Sequence, residues 1–513
     1  MLKSLYNAVL LCAVVLMTTW VSAQDEVQLV PFSDEAFGIS GVIPQGWINP
    51  SPGLFARQKD SADGTLLVIQ SAFASPESVW TSLLPQLGLD NIPESVGSLQ
   101  TASLDWSLYQ VEVVAQGIMV SIDLGLANAN GRTYSVLLQS ASDEAPSLRE
   151  IVFVPVLEAL EPILIDPSEV PYRTEQATIS NGEITLSGTL TIPHTDGLHP
   201  AVVLMTGSGP QTRDEEIVPG FPIFALIADA LTRQGVAVLR YDDRGVGQST
   251  GDHSAASIQD FASDGQAAVT YLQKHAEIDP AQIGVLGHSE GSLYAAMLSA
   301  NPESGLAFAV SLAGPAVVGY EGIIHQTAEQ YRVSGVPEAF IDLQVQQLYD
   351  IFGRIMANDD VGLIAAVERG ARETWDVLPE AQRANTGAAN VEDYVAQSIA
   401  AAQTQLASAY YRSLLSYNPA EDWARTTIPV LAIFGSLDVQ VDEVQNAVPF
   451  AQALVSAGNQ DFSVVVLPGV NHLFQTAITG SADEYFSLAR EFTPALLPTI
   501  VDWVRHHVTL PQE

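Results

Sequence analysis

The sequence predicts an α/β protein whose mostly parallel central sheet is flanked by helices, preceded by a small α+β domain at the N-terminal end. Two observations predict this arrangement. From residue 174 onward, short and fully apolar runs alternate with helical stretches, which is typical of a parallel sheet covered on both faces. Before residue 166, runs rich in β-branched and aromatic residues are interrupted by helical stretches, which is typical of an α+β domain.

The first residues are typical of an export signal. Lys3 is followed by the apolar run AVLLCAVVLMTTWV and by the small-residue sequence VSA, which ends at Ala23. The run is short for a membrane-spanning helix, which needs roughly 20 residues. Residues 1–23 therefore predict a signal peptide, and an uncleaved anchor is the alternative. The mature chain is expected to be extracellular or periplasmic, with no stable membrane insertion. The single cysteine, Cys12, lies in this segment, so a cleaved chain has no disulfide.

Residues 24–166 predict a domain of mixed strands and helices. TLLVIQSAF, WSLYQVEVVA, IMVSIDLGLA and TYSVLLQS have strand composition, whereas SPESVWTSLLPQL and PSLREIVFVPVLEAL have helical patterns. The strand that leads into Pro-Gln-Gly-Trp at 44–47 resembles a feature of small Mog1/PsbP-like domains. Nothing in the sequence indicates the role of this domain. The segment DPSEVPYRTE (166–175) contains two prolines and scattered charges, so a domain boundary is expected there.

After residue 174 the expected elements follow a regular order. ATISNGEITLSGTLTIP predicts a hairpin, because Asn181-Gly182 is a favoured two-residue turn. The runs PAVVLM, VAVLRYD, IGVLG, LAFAVSLAG, IPVLAIFG and FSVVVLPG then alternate with helical stretches as far as LLPTIVDWVRHH. Residues from about 318 to 425 contain helical stretches and no convincing strand. They predict a helical lid inserted over the strand ends, within a catalytic domain of residues 174–513.

The composition excludes several classes of partner. The chain of 513 residues has 59 acidic and 20 basic side chains, which gives a formal net charge of -39. Such an acidic surface repels nucleic acid and anionic membranes, so neither is expected as a partner. The histidines show no ligand-like spacing, so neither a metal nor an organic cofactor is expected. The sequence carries no signal of the oligomeric state.

A cluster of small and polar residues lies between the apolar run IGVL and the helical run SLYAAMLSA. It reads Gly-His-Ser-Glu-Gly and matches G-x-S-x-G, a nucleophile placed on a strained turn from strand to helix. Side chains at 287 or 291 would collide with the neighbouring strand and helix. The helix that starts at Glu290 points its N–H groups at the space above the serine, where negative charge would develop. We therefore expect Ser289 to be a nucleophile.

A serine nucleophile needs a base and a carboxylate. The base is expected after the serine in the chain, and His472 lies in a loop directly after a late apolar run, in VVVLPGVNHLF. The carboxylate that orients the histidine is expected in IPVLAIFGSLDVQVD. Asp438 is preferred because it is nearer the strand end, and Asp442 is the alternative. The oxyanion hole is expected to use the N–H of Glu290 and one donor from TGSGPQ, where Gly207 and Ser208 are candidates and Ser208 is favoured.

The ordered set of these residues resembles the α/β-hydrolase superfamily over roughly residues 174–510. Four stretches, TGSGPQTRDEE, YDDRGVGQSTGD, GHSEGS and LPGVNHLFQTAITGSADEY, look like a bacterial group of secreted serine hydrolases that includes esterases and S33-like serine aminopeptidases. Carried over by position, Ser289, Asp438 and His472 match the catalytic triad of that family. Ser292 stands where the group usually has glycine, outside the five-residue motif.

The resemblance implies an α/β-hydrolase fold and a serine hydrolase that cleaves carboxylic esters through an acyl-enzyme. The expected substrate is a small-molecule ester or a short peptide. One alternative is a peptidase that trims small peptides, and another is an inert binding or scaffold protein on the same fold. Thioester or lactone hydrolysis is a third. Two loops stay open: Arg213 could orient a substrate or belong to a solvated loop, whereas Asp242, Asp243 and Arg244 are expected to form an ion-paired turn.

Overall fold

The computed structural model describes residues 27–511 apart from 35–36, 52, 59–62, 73–74, 90, 116–117, 130–131, 164–169, 385 and 407. The predicted signal peptide therefore lies outside the described residues, as does part of the expected boundary segment. The chain forms two compact units. Of the described residues, the first unit comprises those before 164 together with 216–222, and the second comprises 170–215 and those from 223 onward.

The first unit is built around an antiparallel sheet. Its strands are β1 (Leu29–Asp34), β2 (Ile39–Pro44), β3 (Ile48–Ser51), β4 (Leu54–Ala56), β5 (Leu66–Ala72), β6 (Gly97–Gln100), β7 (Asp105–Ala115), β8 (Ile118–Ala129), β9 (Arg132–Ala141) and β10 (Glu161–Pro162). Seven of them form one sheet in the order β3-β4-β5-β9-β8-β7-β6, and β1-β2-β10 form a second. The helices are α1 (Pro76–Leu87), α2 (Ala145–Leu148) and α3 (Val154–Ala159), with a π-helical turn at Arg149–Phe153.

Each face of the seven-stranded sheet is covered by a helix. Trp80 of α1 belongs to a buried cluster with Ile122 and Leu124 of β8. Leu157 of α3 belongs to a separate buried cluster with Leu138 of β9. Successive side chains along a strand point to opposite faces of the sheet. Both faces are apolar here because each of them packs against a helix. The unit is therefore an α+β fold with a sheet between two helical layers.

The second unit contains an eight-stranded sheet. Its strands are β11 (Tyr172–Asn181), β12 (Ile184–Pro193), β13 (His199–Met205), β14 (Ala237–Tyr241), β15 (Ile278–His288), β16 (Phe308–Leu312), β17 (Val430–Gly435) and β18 (Phe462–Leu467). The spatial order is β11-β12-β14-β13-β15-β16-β17-β18. β11, β12 and β14 pair antiparallel, and the strands from β14 to β18 pair parallel. The apolar runs thus form the predicted mostly parallel sheet, and every residue of β13, β14, β16 and β17 is buried.

Helices follow the strands along the chain. The helices of the sheet region are α4 (Ile223–Thr232), α5 (Ile258–Gln273), α6 (Gly291–Ser299), α14 (Glu443–Ser456) and α15 (Leu496–His507), with 3-10 turns at Pro302–Ser304 and Ala482–Glu484. The arrangement expected from the sequence, a mostly parallel sheet flanked by helices after a small N-terminal domain, is confirmed.

The long segment between β16 and β17 is helical. It contains α7 (Gly319–Val333), α8 (Glu338–Met356), α9 (Asp360–Val377), α10 (Glu380–Ala384), α11 (Val391–Ala401), a π-helical turn at Ala402–Leu406, α12 (Ala409–Ser416) and α13 (Pro419–Trp423). The described part of 318–425 holds no strand. We call this segment the helical insertion. It has a buried cluster of its own, which includes Ile324, Phe352 and Leu415. Across the part of the chain that the structure describes, no helix is both long and apolar enough to span a membrane.

Candidate active site

Four loops that follow parallel strands carry the predicted site residues. Ser289 follows β15, Asp438 follows β17 and His472 follows β18, whereas Gly207 follows β13. β13 pairs with β15 and β17 pairs with β18 in parallel register, so the loops leave the same edge of the sheet. Side chains at the carboxyl ends of parallel strands can converge, although they are far apart in the sequence.

The backbone at Ser289 is in the left-handed region, with a φ of 53°. Its N–H donates to the carbonyl of Leu312 at 2.8 Å, which ties the turn to the end of β16. A Cβ at Gly287 would lie 2.2 Å from the carbonyl oxygen of Gly291, and a Cβ at Gly291 would lie 2.1 Å from that of Met205. Both glycines are therefore required by close backbone approach, as the turn from strand to helix predicts. The strained turn leaves Ser289 half-buried.

Three of the predicted side chains form one chain of hydrogen bonds. His472 Nε2 lies 3.0 Å from Ser289 Oγ, and His472 Nδ1 lies 2.8 Å from Asp438 Oδ2. An ionised carboxylate only accepts, so the Nδ1–H donates to Asp438 and Nε2 is free to accept the serine hydroxyl. Oδ1 of Asp438 accepts the N–H groups of Gln440 and Val441 at 2.8 Å and 2.9 Å, which holds the carboxylate in place.

The alternative acid, Asp442, is engaged elsewhere. Its Oδ1 accepts the N–H of Val444 at 2.8 Å and caps α14. Its Oδ2 lies 2.8 Å from Nε2 of His325, on α7 of the helical insertion. The hydrogen bond with His325 lowers the pKa of Asp442, and that with Asp442 raises the pKa of His325. The geometry therefore favours Asp438 as the partner of His472.

The candidate oxyanion donors lie beside Ser289. Glu290 stands directly before the first residue of α6, so its N–H is at the positive end of that helix. The N–H of Gly207 donates to Oε1 of Glu215 at 2.7 Å, which engages one of the two donors considered in that loop. Ser208, the next residue, is exposed. Gly207 is therefore engaged by Glu215, and Ser208 stays the predicted second donor.

The side chain of Glu290 links the serine turn to the helical insertion. Its Oε1 accepts the hydroxyl of Tyr294, and its Oε2 accepts the hydroxyl of Tyr410 on α12. Burial raises the pKa of the Glu290 carboxyl, although the two tyrosine hydroxyls act in the opposite direction. The carboxylate is therefore engaged within the protein rather than offered to a bound molecule.

Sequence reasoning missed two buried groups around the site, and a third, Asp243, accepts a hydroxyl instead of forming the expected ion pair. Glu215 Oε1 lies 2.9 Å from Nδ1 of His288, whose Nε2 lies 3.0 Å from the carbonyl oxygen of His472. Asp243 accepts the hydroxyl of Thr206 at 2.7 Å, and burial raises the pKa of its carboxyl well above the usual range. The only sequence signal was the presence of acids in RDEE and YDD and of a histidine before Ser289, since their partners lie far away in the chain.

The long motif after β18 is explained by its own hydrogen bonds. Asn471 Oδ1 accepts the N–H groups of Leu473 and Gln475 at 3.1 Å and 2.9 Å. The side chain of Gln475 donates to the carbonyls of Tyr485 and Ala489 at 3.3 Å and 3.0 Å. Asn471 and Gln475 lie on either side of His472 in the sequence, so their hydrogen bonds hold the loop before and after the histidine. The motif is therefore a self-supporting loop that carries the histidine.

The charged loops after β13 and β14 are ion-paired. Arg213 donates to both carboxylate oxygens of Asp242, at 3.0 Å and 2.7 Å, and to the hydroxyls of Ser187 and Thr189. Its side chain is 14% exposed, so Arg213 lies in an ion-paired loop and not in the solvated loop that the sequence allowed. Arg244 pairs with Asp264 at 2.7 Å, as expected for a structural turn. Among the described residues, no group of three or more His, Cys, Asp or Glu side chains could hold a metal ion.

Comparison with known proteins identifies related sequences. Residues 222–476 match the family described as serine aminopeptidase, S33. The chain is 27% identical over 309 residues to esterase EstD of Thermotoga maritima. That alignment covers 60% of this chain and 62% of the relative, so the chain spans less than two thirds of the relative's length.

Solved structures also show likeness at low identity. Esterase Pf2001 of Pyrococcus furiosus has a TM-score of 0.38 and 15% identity, covering 67% of this chain and 94% of its own. Proline iminopeptidase of Mycobacterium smegmatis has a TM-score of 0.37 and 18% identity, covering 65% and 98%. The family match includes Ser289, Asp438 and His472 and ends within the long histidine motif. These similarities support the α/β-hydrolase superfamily, which the resemblance of the motifs predicted.

Proposed function

We propose that this protein is a serine hydrolase that cleaves carboxylic esters through an acyl-enzyme. The observation that carries the proposal is the chain of hydrogen bonds from Ser289 Oγ to His472 Nε2, at 3.0 Å, and from His472 Nδ1 to Asp438 Oδ2, at 2.8 Å. A histidine so placed can take the serine proton, and a buried carboxylate stabilises the imidazolium that forms. The esterase relative and the family match support a hydrolase.

The proposed reaction has two halves. His472 takes the proton of Ser289 as Oγ attacks the ester carbonyl carbon, and the N–H groups of Glu290 and Ser208 bind the oxyanion. The carbon–oxygen bond to the leaving alcohol then breaks, and His472 gives that alcohol its proton. In the second half His472 takes a proton from water, which attacks the acyl-enzyme. Oγ leaves, takes the proton back, and the carboxylic acid is released.

The amino-terminal peptidase activity suggested by the family description is the second candidate. An aminopeptidase needs an anionic group that binds the free α-ammonium group of its substrate. Glu290 follows Ser289 directly, but both of its carboxylate oxygens accept tyrosine hydroxyls and the residue is 6% exposed. The environment of Glu290 therefore favours an ester over a peptide with a free amino terminus.

Covalent labelling by a fluorophosphonate tests the nucleophile. We expect the wild type to be labelled, and Ser289→Ala to lose labelling and to lose kcat for p-nitrophenyl acyl esters by about 10⁴-fold or more. Ser299→Ala is the control, because it removes from the same helix, α6, a buried hydroxyl that has no hydrogen-bond partner among the described residues. A wild type that resists the probe would favour the inert scaffold. Turnover of amino-acid anilides but not esters would favour the peptidase, and thioester and lactone substrates complete the panel.

We also propose that the protein is exported and that its mature chain begins at Gln24. The support is the charged, apolar and small-residue pattern of residues 1–23. Intact-mass measurement of protein recovered from the periplasm or medium of its native cells tests this. A chain that keeps Met1 and stays with the cell membrane would instead indicate an uncleaved anchor.

A further inference from the structure

A buried pair of titratable side chains lies directly under the candidate active site and takes no part in the proposed proton transfers. Glu215 is 0% exposed and His288 is 1% exposed at their side chains. Glu215 Oε1 lies 2.9 Å from His288 Nδ1, and it also accepts the N–H of Gly207 at 2.7 Å. The second oxygen of the carboxyl group, Oε2, is buried and has no hydrogen-bond partner among the described residues.

The protons of this pair can be assigned from its partners. His288 Nε2 faces the carbonyl oxygen of His472 at 3.0 Å, and a carbonyl only accepts, so this nitrogen carries a proton. The second proton lies between Nδ1 and Oε1. Burial acts to lower the pKa of His288, but the charge and hydrogen bond of Glu215 outweigh it and the net pKa is raised. The pair therefore holds one proton on His288 Nε2 and shares a second between Nδ1 and Glu215 Oε1.

The pair joins the three loops that the proposed reaction needs. Glu215 holds Gly207, the residue before the favoured oxyanion donor Ser208. His288 precedes Ser289 in the chain and holds the main chain of His472. A Cβ at Gly207 would lie 2.7 Å from Glu215 Oε1 and 3.3 Å from the Cβ of Ser289, so these groups are in close contact.

Stability alone gives no reason for such a pair. Charged groups lose their hydration when buried, and a well-packed apolar pair is often as stable as a buried ion pair or more so. Glu215 is also a non-glycine residue with a φ of 46°, in the left-handed region that costs free energy for such a residue. Strained and buried ionic groups cluster at functional sites, which agrees with the place of this pair beside Ser289.

We propose that Glu215 and His288 are positioning residues, which hold the oxyanion loop and the His472 loop in the geometry that acyl transfer requires. This inference rests on the proposed serine hydrolase function. Both side chains are buried, so the pair acts through its hydrogen bonds to Gly207 and His472. A displacement of about 1 Å at reacting groups can cost about a hundredfold in rate, which is why two buried hydrogen bonds remote from the substrate can control kcat.

Three substitutions test the two contacts separately. Glu215→Gln keeps the shape but removes the charge. The glutamine has a single side-chain oxygen, which can accept the N–H of Gly207 but cannot donate to His288. A neutral His288 that keeps its proton on Nε2 for the carbonyl of His472 needs a donor at Nδ1, so one of the two bonds is lost. His288→Asn keeps a donor near the Nδ1 position and loses the bond to His472. His288→Gln keeps a donor near the Nε2 position and loses the bond to Glu215. Asp264→Asn is the matched control, since it neutralises a buried acid paired with Arg244 within the same unit.

We expect each of the three substitutions to lower kcat for p-nitrophenyl esters by about tenfold to a hundredfold, with KM changed by less than about threefold. The rate of fluorophosphonate labelling should fall in parallel. Asp264→Asn should lower the unfolding temperature by about as much as the Glu215 and His288 substitutions do. It should leave kcat within about twofold of wild type, because it loses a structural pair only. All rates are compared well below the unfolding temperature of each variant. If Glu215→Gln does not fold, His288→Asn and His288→Gln carry the comparison.

Two results would overturn the inference. In the first, the Glu215 and His288 variants keep kcat within about twofold of wild type. In the second, their loss of kcat is matched by Asp264→Asn at an equal drop in unfolding temperature. Ser289→Ala is measured in parallel to separate the two proposals. If Ser289→Ala is inactive while the pair variants are fully active, only the positioning role is wrong. A wild type that neither labels nor hydrolyses overturns both proposals.

Discussion

The backbone conformation of Ser289 explains why glycines flank it. Its φ of 53° turns the chain sharply between β15 and α6, and the turn brings Gly291 against the end of β13. A methyl group at Gly291 would meet the carbonyl oxygen of Met205, a backbone atom that cannot rotate away. The sequence pattern G-x-S-x-G thus has a steric meaning at each end of the turn.

We predict that Gly291→Ala destabilises the protein by about 3 kcal/mol, because a Cβ 2.1 Å from a backbone oxygen forces the strand and the helix apart. Urea unfolding followed by circular dichroism measures the loss. Gly353→Ala is the control, since Gly353 is exposed in α8 and a Cβ there meets nothing within 4 Å. A Gly291→Ala variant as stable as the control would contradict the steric account.

The two candidate acids give a second prediction. Asp438→Asn should lower kcat by about 10⁴-fold, because an amide cannot hold His472 in the tautomer that accepts the serine proton. Asp442→Asn should keep kcat within about tenfold, since Asp442 contacts His325 and not His472. Steady-state kinetics on p-nitrophenyl esters distinguishes the two. The reverse order of losses would make Asp442 the acid.

Two helices of the insertion are tied to the site by side chains of the sheet region. Tyr410 on α12 donates to Glu290, next to Ser289. His325 on α7 pairs with Asp442, in the loop that also carries Asp438. Both contacts join the helical insertion to loops at the carboxyl edge of the sheet. The two contacts hold α7 and α12 beside the loops of Asp438 and Ser289, and the lid role of the insertion stays a prediction.

The pair of His325 and Asp442 predicts a pH-dependent stability. The hydrogen bond with Asp442 raises the pKa of His325 above its usual 6.5; Glu329 acts with it and Arg332 against it. This stabilisation is fully present below pH 6.5 and is lost as the pH rises through the higher folded value. The pKa of Asp442 is lowered from its usual 3.8. The stability that this carboxylate adds to the folded protein is therefore present above pH 3.8 and is lost as the pH falls through the lower folded value.

We therefore expect His325→Gln to lower stability by about 1 kcal/mol between pH 4.5 and pH 6, and by less as the pH rises above 7. Unfolding temperatures of the variant and the wild type across this range measure the difference. His194→Gln, at an exposed position, is the control. A difference that does not change with pH would mean that His325 stabilises the protein only by packing.

On the scale of the whole molecule, acidic side chains greatly outnumber basic ones. The chain has 59 acidic side chains against 20 basic ones and a pI near 4.2. Excess like charge destabilises a compact state by self-repulsion, and salt screens it. Several arginines form ion pairs, including the buried pair of Arg244 and Asp264, but such pairs engage only part of the acidic excess.

We predict that raising NaCl from about 10 mM to about 500 mM raises the unfolding temperature by about 2–4 °C, roughly 1 kcal/mol, because screening weakens the repulsion among acids. Scanning calorimetry measures the shift, and KCl should give the same result if screening is the cause. A fall in unfolding temperature with salt would mean that the ion pairs outweigh the repulsion.

The sequence by itself determined the strands of the eight-stranded sheet and their order. The apolar runs that became β13 to β18 are continuous because both faces of a parallel sheet are buried, and that pattern is visible locally. The turn at Ser289 was also predictable from a local pattern, because the close approach of the backbone there requires glycines at 287 and 291, near the serine in the sequence. The catalytic roles of Ser289, Asp438 and His472 remain predictions.

Only the tertiary structure decided which distant groups meet. The contact of Glu215 with His288, the hydroxyl of Tyr410 on Glu290 and the pairing of Arg213 with Asp242 join residues that share no local pattern. Periodicity and turn chemistry act over a few residues, and they report burial and chain direction. The partner of a buried polar side chain depends on how strands and helices pack, because a lost hydrogen bond in the interior must be replaced by whichever group the fold brings within reach.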